Sequence, residues 1–251
     1  VKHKNKILRQ LIYIIIFTGL ALSGFAQSRF PENLPKLDYQ PAHFGYSLGL
    51  NSMDFTFKPS ADFYAFDTVY GVENQGYIGF NINMIASLRL ANYLDIRFLP
   101  GLNFGQRSLE YKIIENGVYR KHTMRIESTF LDFPVLLKYR AERYGNFRPF
   151  LVGGGSVRWD LAAQRKIAPE EKPKIRLTRF NPYYEVGVGV DFFLEYFMFA
   201  IEIKGAFGVL NNVKYDNTEF TQMFDRLDSK MLMISFHFEG GKVDGISWFE
   251  K

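Results

Sequence analysis

The chain has 251 residues, with 26 Phe and 15 Tyr but only two Trp and no Cys, and its mean hydropathy is −0.13. The lack of cysteine excludes disulfides, thiolate metal sites and lipid attachment through cysteine, and the hydropathy excludes a bundle of membrane-spanning helices. Of the formal charge of +5, four positive charges lie in residues 1–26, which hold no acid, so the remainder is near neutral and gives no basis for nucleic-acid binding.

Lys2, Lys4, Lys6 and Arg9 precede the apolar run Leu11–Leu22, which ends at Ser23-Gly24-Phe25-Ala26. This order predicts a secretory signal peptide over 1–26, with cleavage after Ala26. The run is shorter than the roughly 20 residues a spanning helix needs. Residues 27–42 contain Pro31, Pro35 and Pro41 and are expected to form an irregular periplasmic lead-in.

A barrel over 43–239 follows, read as eight strands. Strand one, 43–57, alternates Phe44, Tyr46, Leu48 and Leu50 with Gly45, Ser47, Gly49 and Asn51. After a polar loop at 58–75, strand two, 77–90, points Ile78, Phe80, Ile82, Met84, Ala86 and Leu88 one way and Gly79, Asn81, Asn83, Ser87 and Arg89 the other. Strand three, 94–112, sets Ile96, Phe98, Leu102 and Phe104 against Asp95, Arg97, Asn103 and Arg107. A loop with the turn signal Glu115-Asn116-Gly117 is expected next.

Strand four, Thr129–Arg140, shows the period most plainly. Leu131, Phe133, Val135, Leu137 and Tyr139 share one face, while Asp132, Pro134, Leu136, Lys138 and Arg140 share the other. A helix would scatter those charges around a cylinder; a strand sorts them. Strand five spans 147–163, followed by a charged loop at 164–176. Strand six, 177–192, sets Tyr184, Val186, Val188 and Val190 against Glu185, Gly187, Gly189 and Asp191. Strand seven, 197–209, sets Phe199, Ile201, Ile203 and Phe207 against Glu202, Lys204 and Gly208. A loop at 210–229 leads to strand eight, 230–239, with Leu232, Ile234, Phe236 and Phe238 outward. The tail, 240–251, carries Ile246, Trp248 and Phe249 and is assigned to the periplasm.

One apolar, aromatic face and one polar face on every strand define an all-β, eight-stranded antiparallel up-and-down transmembrane β-barrel in the cell outer membrane, with lipid outside. Connections alternate long and short, matching extracellular loops and periplasmic turns. A soluble lipocalin-like barrel would place the apolar face inward.

Five segments carry a family resemblance: HFGYSLGLNSMDF (43–55), FLPGLNFGQRSLEY (98–111), LDFPVLLKYR (131–140), RPFLVGGGSVRW (148–159) and EVGVGVDFFLEYFMFAIEIKGAFGVLNN (185–212). Together they resemble the PorT family of outer-membrane barrels of Bacteroidetes. That resemblance implies a part in type IX protein secretion, with other secretion components as partners. It implies no catalytic residue.

The remaining chemistry-bearing groups read as structural. Gly153-Gly154-Gly155-Ser156 lies in a strand and lacks the final glycine and following helix of a nucleophile elbow. His43, His122 and His237 show no metal spacing, and His3 falls in the signal segment. His237 beside Glu239 admits a His–carboxylate pair, the one opening for an enzyme. The inward charges Asp95, Arg97, Arg107, Asp132, Lys138, Glu185, Asp191, Glu202 and Lys204 mix both signs and are expected to fill a narrow lumen rather than line a pore. No catalytic, cofactor or metal site is expected. The reading is a non-enzymatic barrel acting through loops or periplasmic ends; the alternative is a generic small barrel with an adhesive or envelope-structural role.

Overall fold

The structure, a computed structural model, describes residues 31–60, 69–115, 117–162, 176–214 and 222–240. Chain contacts separate Val1–Glu32 from a compact unit, Asn33–Lys251. The expected signal segment and the tail residues Ile246, Trp248 and Phe249 lie outside the described residues.

A short 3-10 helix, Leu37–Tyr39, precedes the strands β1 (Ala42–Pro59), β2 (Val69–Ala91), β3 (Leu94–Phe98), β4 (Gly101–Glu115), β5 (Val118–Arg140), β6 (Phe147–Asp160), β7 (Arg176–Leu177), β8 (Phe180–Phe193), β9 (Met198–Gly208), β10 (Val213–Lys214) and β11 (Phe224–Gly240). All strands except β7 and β10 form one nine-stranded sheet. It closes on itself, because β11 pairs with β1 from Phe44↔Gly240 to Pro59↔Phe224. Every pairing is antiparallel.

The sheet holds nine strands where eight were expected, and proline is the reason. Pro100 has no N–H to donate, so the third predicted strand breaks at Leu99-Pro100 into β3 and β4. Both halves lie between β2 and β5, so they share one stave of the wall. The break stays bonded on both sides. Leu99 N donates to Pro134 O at 3.1 Å, and Met84 N donates to Pro100 O at 2.9 Å.

The strands also run further than the apolar-out pattern indicated. Residues 69–75, read as loop, belong to β2, and 224–229 belong to β11. The long loop expected between strands three and four is a continuous hairpin, paired from Gly101↔Asp132 to Glu115↔Val118, with Gly117 at φ 75° in the turn. Strand five, expected to reach 163, ends at Asp160.

The cause is an inversion of chemistry along unbroken strands. In the lower part the outward side chains are apolar: Leu50, Ile82, Phe133, Leu137, Ile203 and Leu232 are exposed on the wall, while Asn51, Asn83, Asp132, Lys138, Glu202 and Lys204 are buried inside. Past Leu50, Phe104, Leu131 and Leu232 the outward positions become Asp54, Gln106, Glu127 and Asp228, and the inward ones become Phe55, Leu109, Met124 and Leu227. Below this level the barrel suits lipid, and above it water.

A bulge keeps β2 in phase with the change. The β2–β4 register shifts between Gly76 and Phe80. One extra residue reverses which side chains face in, so Val72 joins the apolar cluster and Glu73 faces out to bond Lys112. Phe55, Leu109, Tyr111, Met124, Val213, Met223, Phe224 and Leu227 form that cluster, which closes the loop end of the lumen. The small β7–β10 ribbon lies at this end too, with Leu177 and Val213 packed in the cluster.

Candidate functional site

The polar interior and the mouth beneath it hold the chemistry-bearing groups. Alternation places them, since every second residue of each stave must enter a narrow interior. Arg97 on β3 donates to Glu202 on β9 at 2.9 Å and also bonds Glu239 on β11, with all three side chains fully buried. His43 Nε2 reaches Glu239 at 2.7 Å, and His237 Nε2 lies 3.3 Å from Glu202. Lys138 binds Asp191 at 2.6 Å, and its Nζ lies 4.0 Å from the centre of the Phe150 ring.

Next along the axis, Arg158 joins Asp132 at 3.0 Å and Glu185 at 2.7 Å, while Lys204 joins Glu185 at 2.8 Å. Lys204 also approaches Glu202 at 3.7 Å, so one connected network fills the middle of the barrel. Nearer the apolar end, Arg107 donates to Ser229 and Ser128 and lies 4.1 Å over the Phe55 ring. Asp95 meets Arg140 at 3.0 Å.

The nine inward charges named from the sequence are all buried, and among the described residues all but Arg107 have an oppositely charged partner within salt-bridge reach. The carboxylate that meets His237 is not on its own strand. Glu239 lies two residues along the same strand, whereas the partner found is Glu202, diagonal to His237 on the neighbouring strand β9. Diagonal neighbours meet readily when side chains are long. Ser156 is buried within β6, where Gly154 lies against β5: a Cβ on Gly154 would sit 2.3 Å from Val135 O. Among the described residues, no group of three His, Cys, Asp or Glu side chains is arranged to hold a metal.

Sequence reasoning missed Arg158, although it shares the inward parity of Ser156 and Asp160. It also missed Asp38, for which no periodic signal exists. Asp38 sits in the expected lead-in, where Asn33–Gln40 folds into the turn end of the barrel. Its carboxylate binds Arg143 at 2.9 Å and Arg148 at 2.7 Å, and Arg89 donates to its backbone carbonyl. Leu37 packs on Phe193 and Met198, and Asn33 Nδ2 donates to Phe193 O at 3.1 Å.

Rings mark both edges of the apolar band. Tyr46 stacks on Phe238 and Phe199 on Phe236 towards the turns. Phe80 stacks on Phe104 and Tyr184 on Phe207 towards the loops. Phe199 and Phe207 share β9, and their separation along a tilted strand corresponds to a height of about 20 Å. A closed antiparallel barrel with such a band, rimmed by aromatics and filled by paired charges, is an outer-membrane β-barrel embedded in lipid.

The chain belongs to the family described as outer membrane protein beta-barrel domain, whose model matches residues 25–214. No curated protein matches it. Among solved structures it is similar to the outer membrane protein OprG from Pseudomonas aeruginosa, with 13% identity over 81% of this chain and 98% of that one and a TM-score of 0.49. Neisserial surface protein A shows 10% identity over 79% and 99%, with a TM-score of 0.41. The outer membrane protease OmpT from Escherichia coli shows 13% identity over 80% and 97%, with a TM-score of 0.31. With TM-scores below 0.5, none of the three bears on what this chain does.

Proposed function

We propose that this barrel is a non-enzymatic accessory of type IX secretion that binds or positions other secretion components. The family resemblance of the five segments supplies the pathway. The observation that carries the mode of action is the filled interior: a connected charge network below and an apolar cluster above. A lumen occupied by its own side chains cannot pass a folded adhesin or protease, so a role in export is exercised through surfaces.

Deleting the chromosomal gene tests this reading. Type IX cargo should stay in the cells, and His237→Ala and Ser156→Ala versions should restore its release. Normal release from the deletion strain would defeat the secretion role. Failed rescue by a well-assembled His237→Ala barrel would point instead to an enzyme. The water-facing extension of β2, β4 and β5 favours a second reading, an adhesive or envelope-structural barrel. On that reading, the deletion strain would release cargo normally but lose surface attachment or envelope integrity.

A further inference from the structure

We propose that the arginine cluster at the turn end of the barrel is a carboxylate-binding seat, that Asp38 occupies it as an internal stand-in, and that an acidic segment of a periplasmic partner displaces it.

The seat is built from separate parts of the wall. Arg143 comes from the turn after β5, Arg148 from β6 and Arg89 from the end of β2. Arg143 and Arg148 both lie over the Phe193 ring, at 3.7 Å and 4.9 Å from its centre. Their side chains are only 7% and 8% exposed. Arg143 is further fixed by donating to Gly145 O at 2.8 Å and Asn146 Oδ1 at 3.0 Å. Two planar guanidinium groups held this way match one carboxylate far better than they match a neutral group.

The occupant is held more loosely than the seat. Asn33–Gln40 forms no ladder with any strand. Its grip comes from the Asp38 contacts, the Asn33 hydrogen bonds, the buried Leu37 with Leu34 packed beside it, and the Tyr39 ring under the Arg89 guanidinium. Leu34 has φ 51°, a left-handed conformation unfavourable for a bulky residue. Release of the segment relieves that strain, takes from Arg143 its carboxylate and leaves Arg148 with the buried Asp191 at 3.6 Å. An incoming acidic chain restores the pairing. Short turns place this end in the periplasm, where envelope partners can reach it.

This inference rests on the accessory-binding reading and adds its surface. It is tested on purified barrel, so its failure and that of the secretion assay are distinguishable. The chain contains no cysteine, so Lys36→Cys in lipid nanodiscs carries one spin label. The label should be immobilised at first. Hexaglutamate should release it saturably, while hexaglutamine and sodium chloride of matched ionic strength should not. Asp38→Asn removes the internal competitor and should tighten hexaglutamate binding about tenfold. An Arg143→Gln/Arg148→Gln barrel, with assembly checked by heat-modifiable gel mobility, should carry a mobile label that ignores hexaglutamate. If that variant does not assemble, Arg143→Lys keeps the charge without the fork and should weaken the hexaglutamate response. A label unmoved by hexaglutamate, equal release by salt or hexaglutamine, or an unchanged response in the arginine variants would overturn the proposal.

Discussion

Arg97 and Glu202 meet at 2.9 Å across the lumen with both side chains fully buried. The two strands that carry them, β3 and β9, are not neighbours in the sheet, so the pair braces one wall of the barrel against another. Glu239 binds the same guanidinium, and His237 and His43 attend the two carboxylates. Desolvating such ions is costly, and the arrangement is tolerable only because each has a partner.

Removing one member should therefore be severe. Arg97→Ala leaves Glu202 and Glu239 without their shared cation and is expected to cost about 3–5 kcal/mol, read from denaturant unfolding in lipid vesicles. Lys121→Gln removes an exposed lysine from its pair with Glu110 and should leave stability nearly unchanged. Equal losses would mean that the luminal pair is hydrated.

The filled lumen also sets an electrical expectation. In planar bilayers the purified protein should show no steady conductance, because network and apolar cluster occupy successive levels of the interior. Reproducible ion-selective openings that change with Arg97→Ala would disprove the sealed interior.

The inversion along the strands locates the membrane surface. Spin labels at Leu50, Ile82 and Leu232 should be reached by oxygen and shielded from a water-soluble nickel complex. Labels at Thr56 and Arg125, outward and exposed beyond the level where the outer face turns polar, should show the reverse. Arginine at Ile82 or Ile201 should cost about 2–4 kcal/mol near mid-membrane. Nickel access at Ile82 equal to that at Arg125 would refute the assignment.

The bulge in β2 makes a sharper demand at Gly79. A Cβ there would lie 2.0 Å from Phe104 O and 2.8 Å from Asn51 Oδ1. The first of these is backbone and cannot swing away, so Gly79→Ala should destabilise by about 1–3 kcal/mol through overpacking. At Gly153 the nearest atom to a new Cβ is 3.9 Å away, and Gly153→Ala should be tolerated. Matching stabilities for the two variants would count against the β2–β4 geometry.

Outside the membrane, Lys112 hydrogen-bonds Glu73 and holds its carboxyl below the ordinary value. A depressed folded value means that the pair contributes above the unfolded carboxyl pKa, about 4.3, and that the contribution is lost as pH falls through the folded one. The carboxyl is exposed, so the effect on stability is small. A carboxyl NMR titration should show the Glu73 midpoint rising in Lys112→Gln; no change would remove the pair from the account.

The sequence alone determined the barrel, the parity of each stave and the inward list from Asp95 to Lys204. Burial on a strand repeats every second residue, and lipid demands that one parity be apolar. It did not reveal the extension of β2, β4, β5 and β11, because beyond Leu50, Leu131 and Leu232 the apolar face turns inward and the outer face reads as polar loop. Pro100 was visible, but whether it ended a strand or only interrupted one depended on Pro134 and Met84 across the sheet. Tertiary structure alone decided the partners. Glu202 rather than Glu239 reaches His237, since closure of the ring brings β9 beside β11. Asp38 reaches Arg143 and Arg148 from more than a hundred positions away, because an irregular segment with no period of its own folds into the mouth that the closed strands create.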